Sequence, residues 1–270
     1  MQISSFDVRD PIFYAQNKEC AQTLGHSPGR PEGQSATVNP IDAELPESAP
    51  LGERAYRELR RAIVRNEFAP GEKLRVDDLS RRFSASSSPV REALNRLVEQ
   101  GLVRSSENRG FRVAPLTQAS VSDIARVRIL VEGEALRDSI AHGDDTWESR
   151  VVAAGHGLAL VERRLGDEPM SLDDEWSARH KAFHLSLYAA CTSPTLLNLV
   201  DVLFDNAERY RRWSARHRQT PRRKHDEHRQ LQAAALARDA DAACGLLVQH
   251  ISSTEKAVAA ALLSARPDGH

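Results

Sequence analysis

The sequence predicts a mainly α-helical protein in two parts: a small N-terminal unit carrying a β-wing, and a C-terminal antiparallel helical bundle. Three observations carry this. Helix-period apolar stripes run from Leu51 to Gln100, and a polar turn then separates two short β-type segments. From Ser120 onward every segment has helical spacing, interrupted by breaker residues, with no convincing strand. Charge is also uneven: residues 51–118 carry 14 Lys and Arg against 9 Asp and Glu, whereas residues 1–50 carry 3 against 7.

Residues 1–50 are rich in Pro, Gly, Ser, Asn and Gln without periodicity, and are expected to form a disordered extension. The first unit spans 51–116. Tyr56, Leu59 and Ile63 make one helical stripe, which Ala69-Pro70-Gly71 is expected to end. A second helix covers Val76–Phe83 and a third Ser88–Gln100, with Pro89 at its first helical position and Ser88 as its cap. Val90, Leu94, Leu97 and Val98 face a core, while Arg91 and Asn95 leave from another face. A helix that buries one side and offers Arg and short polar groups near its N-terminus suits a major groove. Leu102-Val103 and Phe111-Arg112-Val113 then flank a turn ending Asn108-Arg109-Gly110, a wing whose basic tip fits the backbone or minor groove. The pattern is a winged helix-turn-helix, and double-stranded DNA is the expected partner. The basic excess falls on this segment, as phosphate neutralisation requires.

Residues 117–265 are expected to form the bundle. Its helices are Val121–His142, Thr146–Leu165, Leu172–Ala190, Pro194–His217, Arg222–Ala237 and Ala240–Ser264, separated by Gly, Asp, Ser, Thr and Pro clusters. The eight basic residues between Arg209 and Lys224 read as a solvated helix end and loop. The alternative is that one inward-facing Arg meets an anion. Trp176 and Trp213 read as core or cavity wall.

His180 and His184 lie one turn apart on one helix face; His228 and His250 sit on the last two helices. Spacing alone leaves two readings open, a first-row metal site or ordinary helix-surface histidines. His225, one turn before His228, is an alternative ligand. Cys20, Cys191 and Cys244 follow no disulfide or zinc pattern, as a reducing cytoplasm would have it. No apolar run is long enough for a membrane span. There is no nucleophile elbow, phosphate loop or His-Glu-x-x-His motif, so an enzyme is not expected. A metal-dependent hydrolase using Asp173, Asp174 or Glu175 as base is the remote alternative; a DNA binder without metal or effector is the nearer one.

Pro89-Val90-Arg91-Glu92-Ala93-Leu94 followed by Gly110-Phe111 resembles the GntR family of bacterial transcription regulators, over about Leu51 to Pro115. The family's usual Ser-Arg-Thr before the proline is Ser86-Ser87-Ser88 here, which implies a different or weaker operator contact. The resemblance implies a homodimer on an inverted repeat. Ser86 and Ser88 would hold the backbone, Arg91 would read a guanine or clamp a phosphate, and Arg109 and Gly110 would bring the wing close. Phe183-His184, Glu227-His228 and His250-Ile251 resemble the ligand domain of the FadR subfamily, over about residues 120–260. That resemblance implies a divalent metal held by His180, His184, His228 and His250, and a small carboxylate effector that completes its coordination. It also places Arg128 near the effector and implies a cytoplasmic, nucleoid-associated repressor that the acid releases. Metal-binding members carry Asp or Asn where this chain has His180, which tilts the metal toward zinc or nickel.

Overall fold

The computed structural model describes residues 49–106, 110–165, 174–217 and 225–265. Residues 1–48, including Cys20, lie outside the described residues, as do Arg109, Asp173 and the side chain of His225. The described residues form a mainly helical protein with one small antiparallel sheet. No helix among them is long and apolar enough to cross a membrane.

The first unit contains α1 (Leu51–Val64), β1 (Lys73–Leu74), α2 (Val76–Arg82), α3 (Ser87–Glu99), β2 (Val103–Ser106) and β3 (Gly110–Val113). Tyr56, Leu59 and Ile63 of α1 pack with Val90, Leu94 and Leu97 of α3 in one buried cluster, which Phe111 and Val113 close from the wing. Ala93 joins this buried stripe, whereas Val98 only packs against its edge. The first helix stops well before Ala69-Pro70-Gly71, because Asn66 adopts a left-handed conformation at φ 54°. The wing has three strands in the order β1-β3-β2, pairing Leu74 with Phe111 and Val103 with Val113. Strand β1 was not expected: two residues are too few for alternation to register.

The start of α3 corrects the expected cap. The helix begins at Ser87 with Ser86 as its N-cap residue, so Ser88 is already helical and Pro89 is the third helical position. The first turn has no intrahelical use for its N–H groups, so proline is tolerated there as well as at the first position. No side-chain hydrogen bond caps this end.

The second unit comprises α4 (Gln118–His142), α5 (Asp145–Leu165), α6 (Asp174–Leu187), α7 (Pro194–His217), α8 (His225–Leu236) and α9 (Ala240–Ser264). The Thr117 hydroxyl caps α4 by accepting from the Ser120 N–H, and the Asp239 carboxylate caps α9 by accepting from Ala242. Helix α4 packs along α9 and α7, while α5 packs along α6 and α8. Leu136, Val151, Leu158, Trp176, Phe183, Leu187 and Leu247 fill the space between them.

The two units meet through α1 and α7, and charge rather than apolar surface dominates the seam. Arg60 of α1, 3% exposed, lies 2.8 Å from the Asp201 carboxylate and 2.7 Å from that of Asp205, both on α7. Lys181 of α6 reaches the same two carboxylates at 2.8 and 2.6 Å. Burial alone would raise the Asp201 carboxyl, yet the Lys181 and Arg60 charges outweigh it and hold its pKa below the ordinary value. Burial likewise works against charged Lys181, and Asp205 and Asp201 overturn that and raise its pKa. Farther along, Asp174 bridges Arg65, at the C-terminal cap of α1, and Arg212 of α7, at 3.1 and 2.9 Å.

These pairs predict a concrete cost. Arg60→Met leaves the buried Asp205 and half-buried Asp201 carboxylates with one ammonium between them, and should destabilise the protein by about 3 kcal/mol. Urea unfolding of the variant tests this; wild-type stability would show that the pairs are energetically idle.

Candidate functional site

Helix α6 buries Trp176, Ser177, His180, Lys181, Phe183, His184 and Leu187. The i, i+4 relation sends His180 and His184 into the bundle from one face. His228 enters from α8 and His250 from α9. All four imidazoles are buried, and each offers a ring nitrogen within 4.8 Å of the others. Ring centroids are 4.6 Å apart for His180 and His184 and 5.0 Å for His228 and His250. Trp176 stacks on His180 at 4.5 Å, forming one wall, and Phe204 of α7 sits 5.6 Å from His180 as another. The expectation of core or cavity wall for Trp176 fits this position; Trp213 instead stacks on His217 near the end of α7.

This donor set suits a divalent metal. A tetrahedral site with metal–nitrogen bonds of about 2.0–2.1 Å needs its nitrogens roughly 3.4 Å apart. The cluster already approaches that spacing. Two carboxylates also stand where they orient the rings. The His228 Nδ1 lies 3.2 Å from Glu162 of α5, and the His250 Nδ1 lies 2.8 Å from Glu227 of α8. A carboxylate on Nδ1 leaves Nε2 as the lone-pair nitrogen facing inward and makes it more basic, the usual second layer of an imidazole metal site. Glu162 and Glu227 were not assigned from sequence. Glu227 is merely the residue before His228, and Glu162 lies 66 residues from its partner, which no local pattern reports.

Arg128 is buried on α4, and its guanidinium grips Glu132 through Nε at 2.5 Å and Nη2 at 3.2 Å. Burial would depress its pKa, but the Glu132 charge and hydrogen bond, with Tyr188 and Glu208, together outweigh this and raise it. Tyr188 donates to the same carboxylate at 2.8 Å. Arg128 therefore lies among buried charges, with its guanidinium 5.9 Å from the Phe204 ring that also packs near His180 and His184.

The expected solvated basic run is corrected at its start. Arg209, Arg211 and Arg212 are 1%, 6% and 8% exposed. They lie in the stretch of α7 from Phe204 to Arg212 that is buried on every side, where Glu208 pairs with Arg211 and Arg212, both at 2.9 Å. Only the end of the helix, Arg216 and His217, reaches solvent among the described residues of the run. Composition suggested solvent because arginines outnumber acids locally; the compensating Asp174 is distant in sequence. The carboxylates imagined as a hydrolytic base are engaged elsewhere: Asp174 at the seam, Glu175 with Arg164 at 2.7 Å.

On the opposite unit, Ser86, Ser88, Arg91 and Asn95 are exposed along one side of α3. Gly110 opens β3 at φ 77°, a left-handed conformation that favours glycine at the end of the wing turn.

Comparison with known proteins agrees with this two-part layout. A family model described as bacterial regulatory proteins, gntR family, matches residues 51–113, and the FCD domain model matches residues 123–253. The chain is 40% identical over 204 residues to an uncharacterized HTH-type transcriptional regulator, BphR, of Paraburkholderia xenovorans LB400, covering 76% of this chain and 83% of that one. It is 40% identical over 200 residues to the HTH-type transcriptional repressor GlaR of Escherichia coli K12, covering 73% and 90%. Among solved structures, E. coli McbR/YncC shares the fold with a TM-score of 0.66 at 18% identity, covering 78% of this chain and 97% of that one. The winged unit, the helical bundle and these relatives together establish that the chain belongs to the GntR family of DNA-binding transcriptional regulators with a C-terminal FCD domain, and that it is a regulator rather than an enzyme.

Proposed function

We propose that this regulator is a homodimeric repressor that leaves an inverted-repeat operator when a small organic acid enters the histidine-lined bundle. The observation that supports the reading most is the convergence of four buried imidazoles, with ring nitrogens within 4.8 Å, in the unit joined to the DNA-binding one. Residues 51–116 engage DNA; residues 117–265 bind the effector and pair with a second copy. A two-fold dimer calls for a two-fold operator. The relative GlaR is named a repressor, which favours the same sign of regulation here.

At the DNA, Ser86 and Ser88 hold phosphates at the start of α3, Arg91 reads a guanine or clamps a phosphate, and Arg109 with Gly110 brings the wing close. In the bundle, His180, His184, His228 and His250 hold the metal. An all-nitrogen donor set favours zinc or nickel over a hard cation. A bound divalent ion supplies a positive pole that attracts a carboxylate. Glu162 and Glu227 keep two of the rings turned inward. Arg128 reaches an acid only by releasing Glu132, so effector binding there redistributes buried charge.

The signal has a physical carrier in α6. Lys181 is adjacent in the chain to His180, and its ammonium shares Asp201 and Asp205 with Arg60 of α1. An effector that prefers one setting of α6 thereby prefers one placement of the DNA-binding unit.

Two experiments test this. Arg91→Ala should weaken operator binding by roughly 1–3 kcal/mol while stability stays within about 0.5 kcal/mol. Undiminished operator affinity would remove Arg91 from the interface. Metal analysis after incubation with zinc or nickel and dialysis should find about one ion per chain in wild type. The ion should be lost from His184→Ala/His228→Ala, and a wild-type protein that retains none would contradict the metal reading.

A further inference from the structure

Arg209 is an anomaly in the charge pattern of α7. Its neighbours Arg211 and Arg212 pair with Glu208, but among the described residues no carboxylate pairs with Arg209, although it is only 1% exposed. Its Nη2 donates to the Ala114 carbonyl at 2.6 Å, and its buried Nε has no hydrogen-bond partner among the described residues. Burial pulls the guanidinium down to about 10, with only Tyr210 acting in the opposite direction. A guanidinium of this kind is costly unless an anion joins it.

A place for that anion adjoins it. Arg209, Asn206 and Tyr210 of α7 line a cavity of about 410 Å³ at the seam, together with Arg104 of β2 and Ser120 of α4. The cavity is braced on several sides. Asn206 donates to the Gln100 carbonyl at 2.8 Å, Asn66 donates to the Arg209 carbonyl at 3.0 Å, and the Thr117 N–H reaches the Tyr210 hydroxyl at 3.4 Å. Arg104 is exposed at the rim, so the cavity offers one buried and one accessible guanidinium. Its size suits a small ligand.

We infer that this seam cavity is a second, anion-binding site, taking a small carboxylate or phosphate between Arg209 and Arg104, separate from the histidine cluster. Arg209 and Arg104 both line this one pocket, and a guanidinium matches the paired oxygens of either group. Occupancy ties β2 of the wing to α7, giving the protein a way to sense an anion at the joint between its two units.

The test is calorimetric titration of full-length protein with inorganic phosphate and, separately, succinate, at ionic strength held constant with chloride. Saturable binding of at least one is expected in wild type. It should persist in His184→Ala/His228→Ala and in Arg91→Ala, which separates it from the bundle cavity and from the DNA face. Arg209→Met and Arg104→Ser should each weaken it at least tenfold. Arg104 sits at an exposed strand position, so the second variant decides the matter if the first fails to fold. Phosphate binding alone assigns the site to phosphoryl groups, and succinate binding alone to carboxylates. Absence of saturable binding by either anion would overturn the proposal, as would binding that both arginine variants retain or that the histidine variant loses.

Discussion

Much of this structure depends on the pairing of Lys181 with Asp201 and Asp205. A buried ammonium without carboxylates would expel its proton or unfold its surroundings. Helix α6 therefore has to lie against α7 where those carboxylates are, at 2.8 and 2.6 Å. The same two carboxylates receive Arg60 from α1, so three helices from two units share one set of charges. Because α6 also carries His180 and His184, its setting simultaneously fixes half of the histidine cluster. A single helix cannot satisfy one of these demands while drifting from the other.

Phe204 organises what lies between. It faces His180 and His184 on one side, at 5.6 and 5.9 Å, and the Arg211 guanidinium at 4.5 Å on another. Arg128, Glu132, Tyr188, Glu208 and Arg211 form an interior charge system in which burial and pairing oppose one another. Arg211 shows the balance going the other way from Arg128: burial depresses its pKa, and Glu208 does not fully offset it.

Helices were legible wherever period and breaker agreed. Pro194 and Ala240 open their helices as expected, and Ser264 closes the last of them, because turn chemistry sits directly at those ends. The stripe Val90, Leu94, Leu97 is buried for the same reason. Strand β1 was illegible, since a two-residue strand exists only through its pairing with Arg112 and Phe111. The four histidines could be singled out by helical spacing and resemblance. Their orienting partner Glu162 could not, because it comes from a helix that joins them only in the folded bundle. Arg60 and the buried arginines of α7 were misjudged or overlooked for one shared reason. Composition places arginine at the surface, and only long-range pairing brings it inside.

The central claim is that α6 links the histidine cluster to the DNA-binding unit. Hydrogen exchange on full-length protein, zinc-saturated against chelated, tests it most directly. The account predicts slower exchange in α6 together with a change in α1, Leu51–Val64, which shares its carboxylates with Lys181. Slower exchange confined to α6, α8 and α9, with α1 unaltered, would contradict it.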